Sequence, residues 1–292
     1  LGIPSSPALI NLGSVYDFPE IGAHGPINHV ITYVPGLDMF LDSTDPFSRF
    51  GALSAANAGK PVVLTRLGRL AMTPALRARD NWSRTEIELD IDGGGTVRGK
   101  ARAQFGGEME RESRSDRFGG AWSSPEKLVR DLLSRFTENG TGELEFADPA
   151  DISVPFHVES RFVLDPPTYL PGPGAFVIPV GLAPGRLAAR VDNQPLANYR
   201  LPKVCRSEQV TERYRIRFPA SVRIERLPRG TVFRAGPIDY RSRFERQGRQ
   251  VLVTRTLEIE QPTAICSAQD LAQRRDFHHV LRRDLRAQIL LR

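Results

Sequence analysis

Cysteine is scarce: Cys205 and Cys266 are the only two, and no CxxC occurs. That spacing excludes the common zinc and thioredoxin-type redox motifs. It leaves two readings open, an oxidised pair in a periplasmic protein or two reduced core thiols. Lysine is scarcer than usual, with Lys60, Lys100, Lys127 and Lys203 standing among 40 basic side chains. No apolar run reaches the roughly 18 residues of a membrane-spanning helix. The opening stretch "LGIPSSPALI" has no initiator Met, no basic leader region and no cleavage pattern, so it reads as a chain cut from something longer.

What is present is ordinary for a globular chain: 40% hydrophobic and 25% charged residues over 292 positions. Net charge is +6, which could signal nucleic acid. The arginines interleave with acids, as in "SRTEIELDID" and "SRFERQGRQ", and there is no RNP motif, zinc-finger spacing or basic tail. Nucleic acid is therefore not an expected partner.

Residues 1–76 are mixed, with strand signals in "SPALINLG", "PINHVITYVP", "LDMFLDST" and "KPVVLTRLG". From residue 82 the chain alternates with period two, the mark of half-buried strands. "DGGGT" reads as a turn and not a phosphate loop, because no helix follows it. "SSPEKLVRDLLSRFTENG" is predicted to be a helix capped by Ser124, with Pro125 in its first turn. "PPTYLPGPGAFVIPVGLAPG" looks like a long irregular connection. Four further strand signals fill residues 205–262. The end is predicted to be a helix opened by a Ser267/Asp270 capping box, its face running through Leu271, Phe277, Val280, Leu281, Leu285 and Ile289. Its other, Arg-bearing face reads as a solvated surface; binding to an anionic polymer there would need strong salt dependence.

These elements predict an α+β chain dominated by antiparallel strands. The expected division is 1–76, then 77–200 with one helix, then 201–292 ending in a helix, the latter two forming one or two sandwich-like units.

The stretch "NHVITYVPGLDMFLDST" carries the chemistry. A turn centred on Gly36 and Leu37 sets Val34 against Met39, Tyr33 against Phe40 and Ile31 against Asp42. His29 and Asp42 then share one face on a diagonal, about 7–8 Å apart at Cα and within side-chain reach. A carboxylate there would fix the imidazole tautomer and favour the imidazolium. A slip of one residue would place them on opposite faces. The simpler reading is a strand histidine beside a turn aspartate. His24 sits in "IGAHGP", a loop that could form a lip over this place or be plain surface. His157 reads as an exposed strand residue. His278 and His279 point about 100° apart on a helix and make poor metal co-ligands. No cofactor or metal site is expected.

"LGIPSSPALINLG" followed by "NHVITYVPGLDMFLDST" resembles the transglutaminase-like branch of the papain-type superfamily. There a Cys-bearing helix runs through "LGIPAR" into a strand, and a His strand and an Asp strand ending "LDPT" follow. The likeness is to bacterial exported proteins with a transglutaminase core between β-rich modules. It implies His29 as catalytic base and Asp42 as its orienter. It also implies a peptide or protein substrate, thiol acyl-transfer or protease chemistry, and a periplasmic or secreted location. Val30 and Ile31 depart from the family's small and Trp residues, and Ser43 replaces its Pro. The family's cysteine precedes its histidine, yet no cysteine lies in residues 1–28. The expectation is a C-terminal portion, with the nucleophile upstream and this chain alone inactive. An uncovered apolar sheet face near Leu9, Ile31 and Tyr33 would then pack on the chain's own β-rich part or on another chain, as in self-association. The competing reading is a non-catalytic β-sandwich binding module of an exported protein.

Overall fold

The computed structural model describes residues 2–18, 26–119, 124–166, 170, 172–182, 185–192 and 203–292. His24 lies outside them. The described residues form a β-rich α+β fold with four helices.

The first sheet uses β1 (Ser6–Ile10), β2 (His29–Val34), β3 (Met39–Leu41), β4 (Pro61–Leu64) and β5 (Arg69–Met72) in the order β3-β2-β1-β4-β5, antiparallel throughout. Its inner face buries Ala8, Ile10, Ile31, Tyr33, Phe40, Val62 and Leu64. Ile31 and Tyr33 are therefore covered by the chain itself, with Phe40 beside Tyr33 in the sheet and Leu53 packed against the cluster, so this cover comes from residues 1–76 and not from the β-rich part or a second chain. An apolar row runs across the opposite face, half-buried at Leu9 and Val63 and exposed at its two ends. Val30 faces Leu9, Leu9 faces Val63 and Val63 faces Leu70, with Val30 51% and Leu70 64% exposed.

The rest is built on β6 (Trp82–Ile91), β7 (Val97–Gly106), α1 (Glu108–Gly119), α2 (Pro125–Ser134), β8 (Gly140–Phe146), β9 (His157–Leu164), β10 (Gly174–Val177), α3 (Arg186–Asp192) and β11 (Lys203–Val204). There follow β12 (Glu208–Arg217), β13 (Ile224–Arg226), β14 (Val232–Ala235), β15 (Ile238–Gln247), β16 (Gln250–Ile259), β17 (Ile265–Cys266), α4 (Ala268–Leu285) and β18 (Gln288–Leu291). Eight of these strands make one sheet, β14-β15-β16-β12-β6-β7-β9-β8, so strands from 77–200 and from 201–292 share it. The junction is the parallel pair β6–β12. Alternation explains its two faces. Ile87, Leu89, Tyr214, Ile216, Val251 and Val253 turn inward. Arg213, Arg215 and Arg217 turn outward, each directly opposite Glu86, Glu88 and Asp90, with the last two pairs at 3.0 and 2.9 Å. The interleaved charges are thus neutralised across strands, though such exposed pairs add little stability.

Over the buried face lie the small sheet β10-β18-β13 and α2 at one end, and α3 and α4 at the other. The turn after β6 is an Asx turn, with Asp92 accepting from the N–H of Gly94 and Thr96 at 2.9 and 3.0 Å. Ser124 caps α2 through the Lys127 N–H, and the Ser267–Asp270 capping box opens α4.

Three expectations need correction. Four helices replace two. The terminal helix stops at Leu285, and Ile289 belongs to β18, where pairing with β10 and β13 outweighs its helical spacing. The Pro/Gly-rich connection contains β10, which finds its partner in that same strand.

Cys205 and Cys266 form a disulfide between the β11 and β17 segments. It closes a loop of sequence separation 61, which in the chain-entropy account stabilises by about 4 kcal/mol. Replacing both cysteines by serine, or adding reductant, is expected to lower Tm measurably in a thermal melt; an unchanged melt would contradict this.

Candidate functional site

The place where His29 meets Asp42 is fixed by the β2–β3 connection. Pro35 sets the first turn of a short 3-10 segment, and Asp38 closes it in the left-handed region at φ 46°. The Tyr33 hydroxyl donates to Asp38 Oδ1 at 2.8 Å and ties the loop off. The observed pairs are Val34 with Met39, Tyr33 with Phe40 and Thr32 with Leu41. Continuing that register brings Asp42 level with Ile31 and diagonal to His29. At the other end Ile10 pairs His29, and the Asn28 N–H donates to the Ile10 carbonyl at 3.2 Å.

His29 Nε2 lies 2.9 Å from Asp42 Oδ2, with side chains only 14% and 5% exposed. A carboxylate only accepts, so the ring proton sits on Nε2. That leaves Nδ1 as the nitrogen with a free lone pair. The same Asp42 Oδ2 accepts from Asn57 Nδ2 at 2.7 Å. Oδ1 accepts from the Thr44 N–H and hydroxyl at 3.0 and 2.7 Å. Each oxygen therefore accepts two hydrogen bonds, which together hold the carboxylate's orientation.

Burial pushes the Asp42 pKa up, but the Thr44 hydroxyl, the His29 ring, the Thr44 N–H and the charge on a protonated His29 together outweigh it. The net value lies below the ordinary 3.8. A depressed carboxyl stabilises the fold above its unfolded pKa and loses that contribution as pH falls through the lower folded value. The His29–Asp42 contact is accordingly expected to survive acidification through about pH 4 and to fail below it. The His29 ring-proton NMR signal followed from neutral to acid pH checks this, and loss of the contact near pH 5 would refute it.

Asn57 was not legible as a partner. It is fully buried within "GALSAANAGK", where an isolated amide among small residues is the one available signal. Its N–H donates to the Ser54 carbonyl at 2.9 Å, and its carbonyl accepts from the Thr73 hydroxyl at 2.6 Å. Its Oδ1 is buried without a hydrogen-bond partner.

Elsewhere, His157 opens β9 and is half-buried. His278 Nε2 contacts the Arg190 carbonyl at 3.1 Å, and its ring centroid stands 6.4 Å from that of His279. Among the described residues no three or more His, Cys, Asp or Glu are arranged to hold a metal ion, and no helix is long and apolar enough to cross a membrane.

No protein-family model matches the sequence, and no curated protein matches it. Among solved structures the chain is similar to a crystal structure described as a "putative protease" from Parabacteroides distasonis ATCC 8503. The TM-score is 0.50 at 12% identity, over 100% of this chain and 41% of that one. At that identity the likeness is one of fold alone, and this chain spans less than half the length of that protein.

Proposed function

We propose that this chain is the C-terminal portion of a transglutaminase-like thiol acyltransferase or protease, with His29 as general base and Asp42 as its orienter. The observation that carries the reading is the buried, four-times hydrogen-bonded Asp42 carboxylate holding the Nε2 proton of His29 and leaving Nδ1 free. Nδ1 would take the proton of a thiol as its sulfur attacks a glutamine-type or peptide carbonyl. The resulting imidazolium, stabilised by Asp42, would return that proton to the departing amine or ammonia. Water or a second amine would then release the acyl group from sulfur. Cys205 and Cys266 are bonded to each other, so the thiol comes from polypeptide outside these residues. The disulfide also supports an oxidising location, the periplasm or exterior of a bacterium. A protein or peptide substrate fits this chemistry, and the apolar Leu9–Val30–Val63–Leu70 row, exposed at Val30 and Leu70, suits self-association of the isolated chain.

A second reading, a non-catalytic binding module, has its own support. A cavity of about 510 Å³ is lined in part by Arg186, Arg190, Arg206 and Arg274, with Glu112 paired to Arg186 and Arg206 and Glu208 paired to Arg190. The test is turnover of glutamine-containing and peptide substrates. The longer parent polypeptide should work in a His29-dependent way and the 292-residue chain alone should not. Activity of the isolated chain, or full activity of the parent without His29, refutes the first reading.

A further inference from the structure

Between Leu41 and Pro61 the chain carries Asp42 and Asn57 but has no helix or strand of its own. A segment of that kind does not hold two polar side chains in register by itself, because each ordered residue costs conformational entropy. The Thr73 hydroxyl holds the Asn57 carbonyl from the first sheet's side, and the other anchors come from α1, in the β-rich part of the molecule. Glu108 is 2% exposed, and its Oε2 accepts the Ala55 N–H at 2.9 Å, two residues before Asn57. Arg111 grips the same carboxylate with Nε at 2.9 Å and Nη2 at 2.7 Å. Arg111 Nε also stands 3.8 Å from Asp45 Oδ2, three residues beyond Asp42, and Asp45 in turn accepts from the Phe47 N–H at 3.0 Å. The Phe47 and Phe118 rings meet at 5.4 Å. The start of α1 is itself immobilised, with the Met109 N–H donating to Asn81 Oδ1 at 2.9 Å. Gly107 precedes it at φ +64°, where a Cβ would lie 2.0 Å from the Asp80 carbonyl oxygen.

We infer that Glu108 is a positioning residue for the His29–Asp42 pair. It acts from the β-rich part through Ala55 and Asn57 and touches neither member of the pair. The inference rests on reading that pair as catalytic. It makes the β-rich part a component of the site's scaffold and not an appendage. The helix supplies its own control. Glu110 and Arg114 are also buried and paired on α1, but they hold the Phe156 N–H and the carbonyls of Asp148, Pro149, Asp151 and Val154, in a loop that meets the Asp42–Asn57 segment at the exposed Arg49 side chain, which donates to the Ser153 carbonyl at 3.3 Å, and not at Asp42, Ala55 or Asn57.

The experiment uses the 292-residue chain labelled with [15N]histidine and reads the His29 ring signals and the exchange of the Nε2 proton with water. Glu108→Ala should accelerate that exchange about tenfold, the cost of one charge-assisted hydrogen bond. Glu108→Gln keeps an acceptor for the Ala55 N–H and should restore the wild-type signal. Glu110→Ala should lower Tm yet leave the signal in place. If Glu108→Ala does not fold, Arg111→Gln is read instead and should move the signal in the same direction. An unchanged signal in the Glu108→Ala or Arg111→Gln chain, or an equal change in Glu110→Ala, overturns the inference. No turnover enters this measurement, so its failure is distinguishable from failure of the catalytic reading, which only the parent's activity without His29 decides.

Discussion

Asp42→Asn is expected, on the proposed function, to cost the longer parent polypeptide about 10³–10⁴-fold in kcat/KM while leaving its Tm close to wild type, and His29→Ala about 10⁴-fold or more. The reason lies in donor counting. The substituted amide would keep one carbonyl oxygen, and the Thr44 N–H and hydroxyl claim it at the Oδ1 position. Its NH2 group then faces His29 Nε2 and Asn57 Nδ2, the two donors that now share Oδ2. Asn57 can rotate its amide and offer Oδ1, which has no partner in the present arrangement. His29 can answer only by moving its proton to Nδ1. The fold thus loses little, but the ring's free lone pair is turned toward the sheet and away from the thiol. The imidazolium would also lose its counter-charge. Kinetics and a thermal melt on the same sample separate the two effects, and an Asp42→Asn enzyme retaining about a tenth of wild-type activity, far above the loss expected for a broken triad, would show that the pair is structural.

The same residues show what could be read without coordinates. The His29–Asp42 diagonal followed from a Pro-Gly turn flanked by period-two strands, because turn position alone dictates register in a two-stranded ribbon. The starts of α2 and α4 were legible because Ser124 and Ser267 cap them by local chemistry. Helix α1 was not, because it has no apolar stripe. Its buried face consists of Glu108, Glu110 and Arg114 with Met109, and charges that are buried only because they satisfy one another leave no periodic trace. Glu108 and Asn57 escaped for the same reason, since each matters through a partner 53 or 15 residues away. Cysteine spacing could not decide pairing either; that depended on β11 meeting β17, a consequence of how the large sheet brings residues 203–208 beside 259–266.

Asp284→Ala should give the largest loss of stability of any single change considered, about 3–5 kcal/mol, or roughly 10 °C in Tm. Asp284 is 3% exposed near the end of α4 and faces Arg255 of β16, 1% exposed, with Nε at 2.8 Å. The Tyr240 hydroxyl donates to the same carboxylate at 2.7 Å, and the Ser242 hydroxyl donates to its other oxygen. Removing the acid leaves a guanidinium and two hydroxyls in a dry interior. Glu212, fully buried on β12, is the remaining nearby carboxylate, and burial pushes its pKa up while Arg255 pulls it down. Loss of the Asp284 side chain would leave Arg255 with the backbone carbonyl of residue 284 and the field of that desolvated acid, neither of which replaces the lost ion pair. If the cost is that of an unpaired charge and not of lost volume, taking away both partners should hurt less than taking one. Arg255→Met with Asp284→Leu is therefore expected to melt above Asp284→Ala, with a coupling energy of about 2 kcal/mol in a double-mutant cycle. Additive losses in that cycle would mean that the two side chains contribute as packing and not as a pair.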